Sequence, residues 1–206
     1  MERNMHGGMF VAFEGLDGSG QSTQAELLKR YFNFLDKIAL LTKEPTQWTF
    51  AGKKIKRVLD EKIVIEPLQL QQLFTGDRMV HLRVEIIPAL KKGQIVICDR
   101  YFFSTLAFGG MNVPIDRLIE LNKSFLYPDL TIFLKVRPET CLQRIEKRGE
   151  GIKFFEKLEK LEKIAAIYDV ICETMPGVII VNGEESIAEI HKKIQSAIKK
   201  SAEKEV

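Results

Sequence analysis

Residues 10–23 read FVAFEGLDGSGQST, and this stretch decides the fold. Phe10 to Phe13 is a short apolar run of strand character, and Thr23 onward reads as a helix. Between them, Gly15, Gly20 and Ser22 fall on fixed positions of the phosphate-binding pattern Gly, four free residues, Gly, Lys, then Ser or Thr. Gly15, Gly18 and Gly20 let the backbone of Ser19 and its neighbours curl closely and aim N–H groups inward. The start of the following helix, at Ser22 and Thr23, adds a partial positive charge where a polyphosphate would lie. The Ser22 hydroxyl is placed to bind Mg²⁺. The plain alternative is a glycine-rich turn without a ligand, but strand before and helix after is the setting the motif requires.

One letter departs from the pattern: Gln21 sits where the lysine belongs. A lysine places a full charge near the β- and γ-phosphates, whereas an amide donates hydrogen bonds without charge. Losing one charge-assisted contact in a dry site costs about 2–4 kcal/mol in the transition state. That is roughly a hundredfold to a thousandfold in rate. Three readings follow for Gln21: a substitution made to trap a complex, a natural residue compensated by other cations, or a protein that binds nucleotides without fast turnover.

Working outward, four more apolar, β-branched runs join Met9–Phe13 as buried strands: Ile38–Thr42, Ile95–Cys98, Leu130–Leu134 and Val178–Val181. Helical stripes separate them, including Leu27, Leu28, Tyr31, Phe32 and Leu35. The segment from Leu73 to Leu90 is long enough for one or two helices. Strand–helix alternation implies a mostly parallel sheet covered on both faces. The 206 residues suit one α/β domain, and no linker divides them. Segment 146–153 is the most loop-like internal stretch.

Composition excludes several classes. With 31 basic against 28 acidic residues, the net charge of +3 is too even for a nucleic-acid binder. No apolar run approaches membrane-spanning length, and residues 1–8 lack a secretory apolar core. Three widely spaced cysteines, Cys98, Cys141 and Cys172, read as reduced, buried thiols in a cytoplasmic protein.

A second constellation, Asp99-Arg100-Tyr101, follows the strand Ile95–Cys98. Ligands of open parallel sheets lie at the carboxyl ends of strands. Asp99 is therefore placed to hold Mg²⁺ directly or through water, and Arg100 to clamp a phosphate with its planar fork. Taken alone, the dipeptide is more simply a buried ion pair holding loops together.

Further blocks accompany it in order: Phe13-Glu14-Gly15-Leu16-Asp17-Gly18-Ser19-Gly20, Thr42-Lys43-Glu44-Pro45, Leu73-Phe74-Thr75-Gly76-Asp77-Arg78, Ser104-Thr105-Leu106-Ala107-Phe108 and Pro128-Asp129-Leu130-Thr131. On these blocks the chain resembles the thymidylate kinases from about Phe10 to about Ile194. The resemblance implies a P-loop kinase three-layer sandwich: a five-stranded parallel sheet flanked by helices, with a short lid at about 144–154. It implies Mg-dependent transfer of the ATP γ-phosphoryl group to dTMP, in a single domain over 1–206 and commonly in a homodimer. A kinase for another monophosphate and a nucleotide binder of the same fold are the alternatives.

Site residues follow by resemblance. Phe74 would stack on thymine and Arg78 would hydrogen-bond it, one helical turn apart. Glu44 and Pro45 would approach the monophosphate, and Asp17 the sugar or phosphate region. Phe108 would lie against the deoxyribose, with Thr105 and Ser104 near the base. Arg144 and Arg148, with Lys147 and Lys153, correspond to the arrangement in which the lid carries the basic residues. The chain departs from the family at Gln21, at Lys43 (usually Arg) and at Gly109 (often Gln). Without the resemblance, Phe74 reads as core, Arg78 as a surface ion pair and Asp17 as a turn residue.

Overall fold

The five runs form one all-parallel sheet in the computed structural model, which describes residues 1–149 and 157–203. The strands are β1 (Phe10–Gly15), β2 (Ala39–Lys43), β3 (Ile95–Asp99), β4 (Leu130–Lys135) and β5 (Val178–Asn182). Their spatial order is β2-β3-β1-β4-β5. Each runs one or two residues beyond the apolar run that predicts it, because pairing continues into polar residues at the carboxyl ends. Lys43 pairs with Asp99, and Asp99 with Phe13. β1 and β3 are buried throughout, as continuous apolar runs of a covered parallel sheet should be.

Two apolar layers sandwich the sheet. On one face, Phe10, Ala12, Val96 and Phe133 pack against α5 (Phe102–Gly109) and α8 (Leu158–Thr174). On the other, Val11, Phe13, Ile97 and Ile132 pack against α1 (Gln21–Phe34) and α9 (Ile187–Glu203). The alternation of side chains along each strand assigns residues to these layers. α1 begins at Gln21, two residues before the sequence pattern suggests, because Gly20 in a left-handed conformation serves as its N-cap.

The long mid-chain segment is nearly continuous helix. α3 (Pro67–His81) passes through a π turn at Leu82–Ile86 into α4 (Ile87–Lys91). Pro88 has no N–H for the helical ladder, and the π turn ends two residues before it. A smaller apolar cluster, Ile55, Val58 and Leu70, joins α3 to α2 (Phe50–Leu59). Asp77 of α3 ties the same pair from below: it accepts from Thr46 N and Oγ1 at 2.7 and 2.6 Å and from Thr49 Oγ1. Thr49 in turn caps α2 by accepting from Gly52 N at 2.8 Å.

α6 (Ile115–Asn122) and α7 (Pro138–Arg148) complete the described helices. Segment 146–153, expected as a loop, is still helical through Arg148, and Gly149 ends it in a left-handed conformation. Residues 150–156, and with them Lys153 and the second part of the expected lid, lie outside the described residues. All three cysteines are buried and free. Among the described residues, no helix is long and apolar enough to cross a membrane.

Candidate active site

The glycine-rich loop leaves β1 and wraps onto the start of α1. Ser19 N donates to Leu16 O at 3.1 Å, closing the turn, and Gln24 N bonds to Gly20 O at 3.1 Å, opening the helix. Gly18 and Gly20 have φ of 83° and 94°, where other residues are strained. At Gly18 space is also decisive, since a Cβ there would lie 2.5 Å from Cys141 O. α1 has no side-chain cap, so its first-turn N–H groups are left for a ligand.

Gln21 is buried, with its amide oxygen 3.4 Å from the donating Ser19 hydroxyl. Ser22 is exposed and donates to Asp99 Oδ2 at 2.5 Å, and Lys43 Nζ donates to that same oxygen at 2.7 Å. Asp99 is 4% exposed, and its other oxygen is buried with no partner. Thr23 is exposed on the same first turn.

Asp99 and Arg100 do not form the pair with each other that an isolated Asp-Arg dipeptide suggests; each turns to a different partner. Arg100 has φ 72°, rare for a side chain of its size. Its Nη1 donates to Gly15 O at 2.9 Å and to Ser104 Oγ at 3.2 Å, and its Nη2 to Asp17 Oδ1 at 2.7 Å. The guanidinium lies 4.9 Å from the Phe108 ring centre. Burial works against this charge, but the surrounding acids, Asp17 foremost, outweigh it and raise the Arg100 pKa above its ordinary value.

Beneath Arg100 lies a fully buried carboxyl, Glu14, at the end of β1. It accepts from Tyr101 N at 2.8 Å, Ser104 Oγ at 2.5 Å and Tyr168 OH at 2.9 Å. Burial pushes its pKa up to about 7, against the lowering pull of these bonds and of Arg100.

A cleft of about 300 Å³ opens beside the loop. Phe74 and Arg78 line it from α3, Ser104, Thr105 and Phe108 from α5, and Glu44 and Pro45 from the end of β2. Asp17, Lys43 and Arg100 line it from the loop side. Phe74 is half-buried, with Leu70 and Ile55 behind it. Arg78 is no surface ion pair; it is 1% exposed. Its Nε donates to Glu44 Oε2 at 2.8 Å, Nη2 to Thr105 Oγ1 at 3.0 Å and Nη1 to Asn122 Oδ1. It also lies 5.0 Å from the Tyr101 ring centre. His81 supports Glu44 from behind, with Nδ1 3.1 Å from Glu44 Oε1 and Nε2 2.7 Å from Thr42 Oγ1.

Glu44, His81 and Cys98 bring possible ligand atoms within 4.8 Å of one another. Each already has partners, and Arg78 supplies the countercharge to Glu44, so this cluster is an internal polar network.

Arg144 and Arg148, one helical turn apart, serve different places. Arg144 donates to Ser19 O at 3.2 Å and Gly183 O at 3.0 Å, bracing the loop against the turn after β5. Arg148 is exposed and lines the cleft. Lys147 is exposed on the same last turn.

Sequence reasoning missed Glu14, His81, Asn122 and Tyr168 as parts of the site. The one available signal was Glu14 itself, a charge inside an otherwise apolar strand. His81 sat inside the segment read as one or two helices, Tyr168 on an apolar helical stripe, and Asn122 in a stretch given no reading.

A phosphate loop between the first strand and helix, an acid at the end of the neighbouring strand and a cleft at the same sheet edge define a P-loop kinase fold. Comparison with known proteins narrows the class. The thymidylate kinase family model matches residues 13–194, and the chain belongs to that family. A probable thymidylate kinase of Pyrococcus horikoshii is 38% identical over 198 residues, covering 93% of this chain and 96% of that one. The thymidylate kinase of Wolbachia pipientis is 34% identical over 197 residues, 88% of this chain and 93% of its own. That of Desulfotalea psychrophila is 32% identical over 194 residues, 93% and 95% respectively.

Proposed function

We propose that the chain transfers the γ-phosphoryl group of ATP to dTMP, giving ADP and dTDP. The observation that carries this reading is a single cleft with Phe74 and Arg78 on one wall and Asp17 and Arg100 on the other. An aromatic shelf, a buried guanidinium and the phosphate loop therefore share one space. Phe74 stacks on the pyrimidine. Arg78 has five N–H donors, of which three are engaged by Glu44, Thr105 and Asn122, so two remain for the base. Ser104 and Thr105 sit near the base, Phe108 against the deoxyribose, and Asp17 meets the sugar or phosphate region. Glu44 and Pro45 border the monophosphate.

Gly15, Gly18, Ser19, Gly20, Gln21, Ser22 and Thr23 hold the ATP phosphates through backbone N–H groups and the start of α1. Arg100 aligns the two phosphate groups, with Asp17 fixing its fork. The acceptor phosphate is itself the nucleophile, so positioning and charge neutralisation do most of the work. Arg144 stands over the loop, and Arg148 and Lys147 come from the lid at about 144–154, whose closure keeps water from the phosphoryl group.

Mg²⁺ fits this site. The unpartnered buried Oδ1 of Asp99 and the Ser22 hydroxyl are hard oxygen donors on one side of the loop. When bound with ATP, the ion neutralises phosphate charge; Ser22 would hold it directly and Asp99 directly or through water.

The whole chain, 1–206, acts as one domain. Its buried, free cysteines suit the cytoplasm, and exposed Met79, Val80 and Val84 on the mid-chain helix suit a homodimer face.

The test is ADP formation with dTMP, dUMP, dGMP, dCMP and AMP side by side. Turnover of dTMP above the others is expected, and Phe74→Ala should raise its KM. Strong turnover of AMP with none of dTMP would defeat the assignment.

A further inference from the structure

We infer that Lys43 supplies the positive charge that the phosphate loop lacks at Gln21. This rests on the kinase reading above and extends it to a residue whose only mark in the sequence is a departure from the family pattern.

The need comes first. A polyphosphate held by neutral N–H groups and one Mg²⁺ keeps uncompensated charge as the bond to the leaving phosphate lengthens, and a cation aimed there is worth far more than in water. Gln21 offers none. It is 5% exposed and its amide oxygen receives the Ser19 hydroxyl, so the side chain is turned into the loop.

Three other described cations near the loop are committed; Arg148 and Lys147, at the exposed end of α7, belong to the lid. Arg100 is spread over Gly15 O, Asp17 and Ser104. Arg144 is bonded to backbone carbonyls of the loop and of Gly183. Arg78 is locked inside the pyrimidine end of the cleft.

Lys43 differs in three respects. Strand register puts it beside Asp99 at the carboxyl edge of the sheet. Its ammonium bonds at 2.7 Å to the oxygen that also receives the Ser22 hydroxyl at 2.5 Å, so it stands next to the first turn of α1. It also lines the cleft that would hold the acceptor. Its side chain is 53% exposed, and its ion pair among the described residues is with the carboxylate suited to the metal. A lysine is a compact charge on a flexible stem and can swing from Asp99 to a phosphate oxygen when nucleotide and metal arrive. The charge is thus delivered from the end of β2 instead of the start of α1.

The experiment is a two-by-two set: wild type, Lys43→Met, Gln21→Lys and the double variant, compared by kcat for ADP formation with saturating ATP, Mg²⁺ and dTMP. Thermal unfolding establishes that each is folded. Lys43→Met should lose about a hundredfold to a thousandfold in kcat. In the double variant, Gln21→Lys should restore at least about tenfold over Lys43→Met, since either lysine then serves. A lysine that merely braced Asp99 would not be replaced from position 21. Lys43→Met within about threefold of wild type, or a double variant no faster than Lys43→Met, overturns the proposal.

An idle wild type overturns it as well, and the companion variant then judges the underlying reading. Revival by Gln21→Lys keeps the kinase. ATP and dTMP binding without turnover in either chain leaves a binding protein. Binding of neither nucleotide removes the reading altogether.

Discussion

At the loop end of the site, the groups that meet a ligand belong mostly to the backbone: the N–H groups of a glycine-rich turn and an uncapped helix start. At the cleft end they are side chains, and the buried charged ones are held by others: Arg78 by Glu44, Thr105 and Asn122, and Glu44 by His81. The loop is built from nine consecutive residues, 15–23. The cleft draws on β2, α3, α5 and α6, separated by up to 78 residues between Glu44 and Asn122. A backbone site depends little on its neighbours' identity but strictly on its own conformation. A side-chain network depends on every member, because each buried polar group left unpaired is costly. Removing a buried cleft residue should therefore cost much stability along with dTMP binding, whereas changing the loop should cost less stability and weaken ATP binding alone.

Arg78→Leu is the strongest test of that contrast. It leaves Glu44 buried without its cation, and the expected loss is about 3–5 kcal/mol of stability in urea unfolding. Binding of dTMP in calorimetry should vanish with it. A well-folded variant of near-native stability that still binds dTMP would break the comparison.

Glu14 lies between the two ends and gives the next effect. The folded protein holds this proton up to a pKa of about 7 against 4.5 for the ordinary group. Stability should therefore fall as pH rises from about 4.5 through about 7, by about 3 kcal/mol in all, and level off above. Glu14→Gln mimics the protonated form: its oxygen can accept from Tyr101 N while its amide faces Ser104 and Tyr168. Urea midpoints between pH 4.5 and 8.5 should lose this fall in the variant, and a slope unchanged by the substitution would place the titration elsewhere.

Gly18→Ala probes the loop directly. The new Cβ meets Cys141 O in a backbone conformation at φ 83°, costing about 1–3 kcal/mol. ATP binding should weaken strongly while dTMP binding persists. Equal loss of both ligands would mean that the two ends are not separable.

Ser22→Ala should have the smallest effect on the fold. Asp99 keeps its bond to Lys43, so the unfolding free energy should change by no more than about 1 kcal/mol. The Mg²⁺ concentration giving half-maximal turnover should nevertheless rise. An unchanged metal dependence would remove Ser22 from the metal's ligands.

The sheet was legible because each strand is a contiguous apolar run bounded by polar residues, and burial on both faces of a parallel sheet writes that pattern into the chain. The loop was legible because its chemistry lies in its backbone and its glycines mark the spots where only that backbone is allowed. Phe74 and Arg78 were legible as a pair only through the family's order of blocks. Chemistry alone read them as core and surface, and for Arg78 the surface reading is wrong. The end of the strand before Arg100 was read as one unit, Asp99-Arg100, yet the two side chains part: strand register gives Asp99 to Lys43, and the left-handed turn at Arg100 swings its fork to Asp17. Arg144 and Arg148 were read as basic residues of one lid; the structure shows Arg144 bonded to the loop and Arg148 lining the cleft.

The sequence by itself determined a doubly covered parallel sheet and a phosphate loop, because both are set by local periodicity and local backbone freedom. Only the tertiary structure decided which cation stands beside Ser22, that Glu14 is sealed from water, and that Arg78 is enclosed by Glu44 and Asn122. Those relations depend on distances between segments far apart in the chain, and burial and charge pairing arise only when the fold brings the segments together.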